Sequence, residues 1–307
     1  MSSYTPITLP YFAPNNVLPA PLPTLKQVLS SENYLILPLS NLYGKSVCIV
    51  QIGEHFVAKY GKDVRSVEGE SMLFVRQHTM IPVPQVYAIY TFSKDQTMII
   101  MDFVKGISLQ ECFITMSPRQ LEHVREQLKA QVVQLRRIPH SGYYGAIGRR
   151  PLLHIYSGRK FGPFDNFRDM ISAKFDLEYH PRSAQRFANI KKFFLGSLEC
   201  ISTALGHSYP VFTHGDLHEA NVIVQPNGTP VIIDWETAGF FPIYHERFTT
   251  DLLASRFNFL DDYPYERQVI DDANTAWVEA RREEPDSAAE SGSDSQSGSR
   301  NDSDYDS

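Results

Sequence analysis

The sequence predicts a two-lobed α+β fold: a small antiparallel β lobe with one key helix, then a larger, mainly helical lobe with an embedded β-hairpin. Three observations carry this. Strand-like runs rich in β-branched and aromatic residues crowd residues 36–104 around a single helical pattern. Helical spacing dominates the stretch from 118 to 282. One hairpin, VFTHGDLHEANVIVQPNGTPVIIDWE (211–236), interrupts those helices with a polar head and a pair of acids after its second strand.

Residues 1–35 form an N-terminal extension. Its first 24 residues are proline-rich and uncharged and are expected to drape over the surface, while 25–35 suit a short helix with Leu25, Val28 and Leu29 on one side. The small lobe, 36–104, opens with SVCIVQI and HFVAKY, two strands around a Gly53-Glu54 turn. SVEGESMLFVRQH (66–78) reads as a helix that stops before the extended IPVP, and VYAIYTF and TMIIMDFV are two further strands joined by SKDQ. The second lobe spans 105–282. Ser117-Pro118-Arg119-Gln120 supplies an N-cap, a first-turn proline and a capping-box glutamine, and Leu121, Val124, Leu128, Val132 and Leu135 continue at helical spacing. Helices are predicted at 166–179, 183–206, near 244–260 and at 267–282.

The last segment, 283–307, contains eight acids and one base, a charge of −7 against −6 for the whole chain, so the body carries about +1 and is close to neutral. With almost no apolar residue it cannot offset its ordering entropy and is expected to be a disordered acidic, Ser-rich tail, either solubilising or able to make protein contacts. The body carries no basic stripe for nucleic acid, and no run of roughly 18 apolar residues exists to span a membrane. Cys48, Cys112 and Cys200 are sparse and odd in number, and no secretory signal opens the chain. Both features suit reduced thiols in the cytoplasm.

The hairpin concentrates the chemistry. With Asn227-Gly228 as a two-residue turn, Asn221 falls directly opposite Asp234, where an amide oxygen and a carboxylate can grip one hard cation such as Mg²⁺. Asp216 lies five residues before Asn221, which gives H-G-D-x-x-x-x-N, the spacing of a kinase catalytic loop with Asp as base. His214 and His218 raise a zinc alternative. Gly215 and the following β-run argue against the helical presentation that two ligands four apart need, so His214 is read as a brace of the loop backbone. The strand HFVAKY offers Lys59 to donor phosphates, with Glu70 of the next helix as its chosen carboxylate partner and Glu68, on another face, as competitor. Gly44-Lys45-Ser46 is no P-loop, because Leu39 replaces the first glycine and a strand follows, but the loop 43–46 is positioned to cover phosphates.

VAKYG (57–61), EGESMLFVRQHTMIPVPQVYA (68–88), MDFVKG (101–106), FTHGDLHEANVIV (212–224) and IDWETAGFFP (233–242) together resemble the aminoglycoside phosphotransferase family, which has a protein-kinase-like fold and is related to choline kinases. The resemblance implies ATP-dependent, Mg²⁺-assisted phosphorylation of a hydroxyl on a small molecule. It implies Asp216 as catalytic base, Asn221 and Asp234 as metal ligands, Lys59 with Glu70 on the α/β-phosphates, and the backbone near Asp102 and Val104 as the adenine hinge. Glu219 departs from the family pattern, where a proline is usual. Two rival readings remain: a kinase-like enzyme acting on polypeptide, for which no A-P-E follows Asp234, and a non-catalytic module that either binds nucleotide or serves as a scaffold.

Overall fold

In the computed structural model, residues 6–36, 46–140, 142–155, 157–179, 184–249 and 263–282 are described. The phosphate-loop expectation at 43–45, part of the helix expected near 244–260, and the acidic tail lie outside them. The small lobe is built on strands β1 (Tyr11–Phe12), β2 (Tyr34–Ile36), β3 (Val47–Ile52), β4 (Phe56–Gly61), β5 (Val86–Ser93) and β6 (Gln96–Asp102), with helices α1 (Leu25–Leu29) and α2 (Ser66–His78). They form a six-stranded sheet in the order β1-β5-β6-β4-β3-β2, every neighbour antiparallel. Alternation splits the sheet into two faces. Phe56, Ala58, Ala88, Met98 and Ile100 point outward to meet Ala13 and Val28 of the N-terminal segment. Ile89 and Ile99 point inward to α2. Within the first 24 residues, β1 pairs with β5 and Ala13 is buried, so that stretch does more than drape; in the short helix α1, Val28 is fully buried while Leu25 and Leu29 are exposed.

The helical lobe follows a short strand, β7 (Ile107–Ser108), and contains α3 (Leu109–Cys112), α4 (Pro118–Arg136), α5 (Phe167–Glu178), α6 (Ala184–Ala204), α7 (His245–Thr249) and α8 (Pro264–Arg282). The Ser117 capping box forms as its sequence requires. Two-residue strands β8 (Leu152–Leu153) and β9 (Lys160–Phe161) pair in the loop after α4, β10 (Pro210–Thr213) pairs with β13 (Gly239–Pro242), and β11 (Val222–Val224) and β12 (Pro230–Ile232) make the hairpin. One apolar cluster runs from the inner face of the small sheet through α2 into the helical lobe. Phe74 of α2 is its joint, with its ring 5.2 Å from Phe212 on β10 and 6.4 Å from Phe240 on β13.

The hairpin register differs from the expected one by a single residue. Val222 pairs with Ile232 and Val224 with Pro230, and Gln225 N–H donates to Thr229 O (3.0 Å), so the loop is Pro226-Asn227-Gly228. A two-residue loop would make Pro226 the closing partner of Thr229, and proline has no N–H to donate. As built, Gly228 N–H closes a turn on Gln225 O at 2.8 Å and Gly228 takes φ +83, the usual three-residue solution. Asn221 O accepts from Ile233 N–H at 2.9 Å, and Asp234 lies one residue beyond the position opposite it.

Candidate active site

The catalytic-loop candidate, His214–Asn221, is held from below by a residue the sequence reading did not single out. Glu246, buried in α7, accepts from the N–H groups of His214 (2.8 Å), Gly215 (3.1 Å) and Leu217 (3.3 Å). Burial pushes its carboxyl upward, against these bonds and His214, which favour the charged form. Nothing local to Glu246 announces this contact, because its partners are about thirty residues away in the chain. His214 braces the loop as expected. Its Nδ1 accepts from Asp216 N–H (3.3 Å), so Nε2 carries the proton and donates to Ile233 O (3.0 Å). Both nitrogens are thereby engaged, which leaves no lone pair for zinc. Gly215 has φ +85, and a β-carbon there would lie 2.9 Å from Thr237 O, so this step of the loop needs glycine.

Asp216 and Asn221 are brought together. The Asn221 amide nitrogen donates to Asp216 O at 2.9 Å and approaches Asp216 Oδ2 at 3.4 Å and His218 Nε2 at 3.1 Å. With the nitrogen turned toward that carbonyl, the amide oxygen is the atom left for a cation. His218 Nε2 is 3.6 Å from Asp216 Oδ2, and its bond to that carboxylate raises the imidazole above its ordinary value despite partial burial.

Lys59 crosses from β4 into the same cleft. Its ammonium is 2.9 Å from Glu68, 2.7 Å from Asp234 and 3.9 Å from Glu236. Burial alone would push Lys59 down, but the carboxylates of Asp234, Glu68 and Glu236 outweigh it and hold the lysine above its ordinary value. Glu68 moves upward: burial and the Asp234 and Glu236 carboxylates override the pull of Lys59. The expected partner, Glu70, is elsewhere. It is buried on α2 and accepts a bidentate pair from Arg150 at 2.7 and 2.9 Å. The reason is helical geometry. Residues two apart on a helix face nearly opposite ways, and α2 turns Glu68 to the sheet and Glu70 to the loop before β8. Gly69 between them lets the helix lie close, since a β-carbon there would sit 2.7 Å from Ile89 Cδ1. Arg65 adds a second tie between the lobes, donating to Glu236 O (3.3 Å) and Pro151 O (3.1 Å).

Asp234 reaches the cleft through a left-handed turn, φ 63 and ψ 66, which few residues other than glycine, asparagine and aspartate accept. At the link between lobes, the Asp102 carboxylate is structural: it accepts from Tyr87 OH (2.5 Å) and Gln85 N–H (2.9 Å) and ties β5 to β6. Among the described residues the Val104 N–H has no hydrogen-bond partner, which leaves a backbone donor at the hinge.

The family model described as "Phosphotransferase enzyme family" (APH) matches residues 63–250, more than half of the chain. The chain belongs to this phosphotransferase family. Among solved structures, it is similar to the ADP-bound aminoglycoside phosphotransferase APH(2'')-Ib, at 13% identity and a TM-score of 0.53, over 85% of this chain and 90% of that one. It is also similar to APH(2")-IIa in a streptomycin–ATP ternary complex, at 15% identity and a TM-score of 0.50, over 83% of each chain. At these identities the likeness concerns the fold, and it agrees with the kinase-like architecture expected from the sequence. A search of curated proteins finds no match. Phosphotransferases of this family carry a phosphoryl group to a hydroxyl of a small molecule, and no helix among the described residues is long and apolar enough to cross a membrane.

Proposed function

We propose that the protein transfers the γ-phosphoryl group of ATP to a hydroxyl of a small molecule, with the nucleotide and Mg²⁺ held between the lobes. One observation carries the reading: Lys59 from β4, Glu68 from α2 and Asp234 from the turn after the hairpin meet within 2.9 Å of one ammonium, while Asp216 and Asn221 contact each other on the adjoining loop. The donor set fits the metal. The Asn221 nitrogen is engaged by Asp216 O, which leaves its amide oxygen as one hard donor, the Asp234 carboxylate is a second, and Glu68 and Glu236, with oxygens within 4.8 Å of Asp234, add negative charge around it. Hard oxygen ligands that leave room for water and phosphate suit Mg²⁺. Asn221 and Asp234 would hold it, and when bound it would supply charge neutralisation on the donor phosphates.

The remaining work falls to the chain. Lys59, oriented by Glu68, neutralises the α/β-phosphates, the Val104 N–H donates to the adenine edge, and the backbone carbonyl of Asp102 is its complement. Asp216 accepts the proton of the acceptor hydroxyl as the new O–P bond forms and the β–γ bridge bond breaks, releasing ADP. Catalysis is positioning plus electrostatics, because little covalent chemistry is left for the protein. In this division residues 36–104 serve the nucleotide and 105–282 the acceptor, and three free cysteines suit work in the cytoplasm.

Nucleotide-induced stabilisation tests the reading. MgATP raises the melting temperature of wild type and of Asp216→Asn, but not of Asp234→Ala, and Asp216→Asn loses turnover at least a hundredfold. No shift with any nucleotide, with or without Mg²⁺, would return the scaffold alternative.

A further inference from the structure

Asp234, the carboxylate proposed to hold Mg²⁺, stands on a left-handed residue with φ 63 and ψ 66, and its side chain does not cap its own turn. A non-glycine residue keeps that conformation only where its surroundings over-determine it. Just before Asp234, Ile233 N–H donates to Asn221 O at 2.9 Å and Ile233 O accepts from His214 Nε2 at 3.0 Å. Just after it, the buried Trp235 donates from Nε1 to Ile232 O at 3.0 Å, and the Thr237 hydroxyl donates to His214 O at 2.9 Å. All four of these bonds lie within the helical lobe.

Glu236, between Trp235 and Thr237, is held from the other lobe. Arg65 Nη1 donates to Glu236 O at 3.3 Å and Arg65 Nη2 donates to Pro151 O at 3.1 Å. The guanidinium fork thus spans two carbonyls from separate stretches of the chain, and its charge strengthens both bonds. Burial pushes Arg65 downward, and the Glu236 carboxylate opposes that shift. Arg65 is also the residue that opens α2, and Glu68, in the first turn of the same helix, lies 2.9 Å from the Lys59 ammonium. The start of α2 therefore carries two groups aimed at one site: Glu68 sets the lysine, and Arg65 sets the turn.

We propose that Arg65 is a positioning residue for the metal: by holding Glu236 O it fixes the turn from which the Asp234 carboxylate reaches the Mg²⁺ position. It acts through the backbone of Glu236 and not as a ligand. The inference rests on the phosphotransferase reading and adds a residue to its metal site. It also makes that site depend on the seating of α2, because the partner of Lys59 and the hold on the Asp234 turn move together. Arg150 is the contrast. It too ties α2 to the helical lobe, but its hydrogen bonds go to Glu70 and to Ile147 O, not to the turn.

Metal-linked nucleotide affinity separates positioning from simple docking. The full chain is titrated with ADP by calorimetry, once in excess Mg²⁺ and once in EDTA, as wild type, Arg65→Met, Arg65→Gln, Arg65→Lys and Arg150→Met. The ratio of the two dissociation constants reads how much the metal tightens the nucleotide. Arg65→Met and the shorter Arg65→Gln should each lose about tenfold of that ratio, with the constant in EDTA changed by less than about threefold. Arg65→Lys should recover part of it, since an ammonium can serve one carbonyl but does not bridge two. Arg150→Met should melt at a lower temperature and keep the wild-type ratio. A wild-type ratio in Arg65→Met, or in Arg65→Gln where Arg65→Met does not fold, would overturn the assignment. An equal drop in Arg150→Met would overturn it too, because loosened docking alone would then explain the loss. Wild-type binding that Mg²⁺ does not tighten would overturn the metal site and this inference with it, and no nucleotide binding at all would overturn the phosphotransferase reading itself.

Discussion

Arg150 should be worth far more to stability than a partly exposed arginine ordinarily is. Its guanidinium donates to both oxygens of Glu70 at 2.7 and 2.9 Å, and the Glu70 side chain is 3% exposed against 34% for Arg150. Removing Arg150 takes the bidentate pair from a buried carboxylate, and breaking such a pair costs about 3–5 kcal/mol when both partners are fully buried. Water reaches the arginine side of this pair, so Arg150→Met should cost about 2–3 kcal/mol. Glu70→Met should cost less, since the freed guanidinium can turn to solvent. The double variant should recover to within about 1 kcal/mol of wild type, because an apolar pair of similar volume avoids desolvating two charges. Urea denaturation of all four proteins gives the coupling energy directly, about 2 kcal/mol if the reasoning holds. Additive single effects, or a loss below about 0.5 kcal/mol in Arg150→Met, would refute the claim that this pair docks α2 onto the catalytic lobe.

Further outcomes follow from the same geometry. Glu68→Gln should lower kcat/KM for ATP about a hundredfold, near 2.7 kcal/mol, because Lys59 loses the carboxylate that orients it; steady-state kinetics at varied ATP would measure it. Gly215→Ala should destabilise the chain by about 2 kcal/mol, combining left-handed strain with a methyl 2.9 Å from Thr237 O, and should depress turnover in the same variant, read by thermal melting and initial rates. Burial would raise Glu178, but Lys174 and His154 outweigh it and hold the carboxyl at about 2. A folded-state value below the unfolded one means stability that is present above about pH 4.5 and lost as the pH falls toward 2, of order 2 kcal/mol. Glu178→Gln should therefore be less stable at pH 7 and show a flatter stability curve between pH 5 and pH 3.

Local pattern made much of this legible. The bounds of α2 follow from helical spacing and the extended IPVP after it, and the capping box of α4 was written in four residues. Where the reading failed, the deciding force was one that a linear pattern does not display. The hairpin slipped by one residue because the Asn-Gly signal ignored the missing N–H of Pro226. Glu68 and Glu70 are chemically equivalent in the sequence, and the rotation of α2 against the sheet, which turns Glu68 to Lys59 and Glu70 to Arg150, is set by tertiary packing. Glu246 grips the catalytic loop from a helix with no motif of its own, so its role exists only once β10 and β13 are paired.

The placement of the N-terminal segment has a consequence for how the small lobe meets other molecules. Its sheet ends in β1 on one side and β2 on the other, and both come from residues 11–36. A sheet with open margins is a template on which a foreign strand can grow, and short margins are one natural defence. Here a single leading stretch of chain closes both flanks and roofs the outer face with Ala13 and Val28. Trimming it would do more than shorten the protein. It would bare two hydrogen-bonding rims and an apolar roof together, turning the nucleotide-binding half into a self-adhesive surface while leaving every residue of the proposed chemistry in the chain.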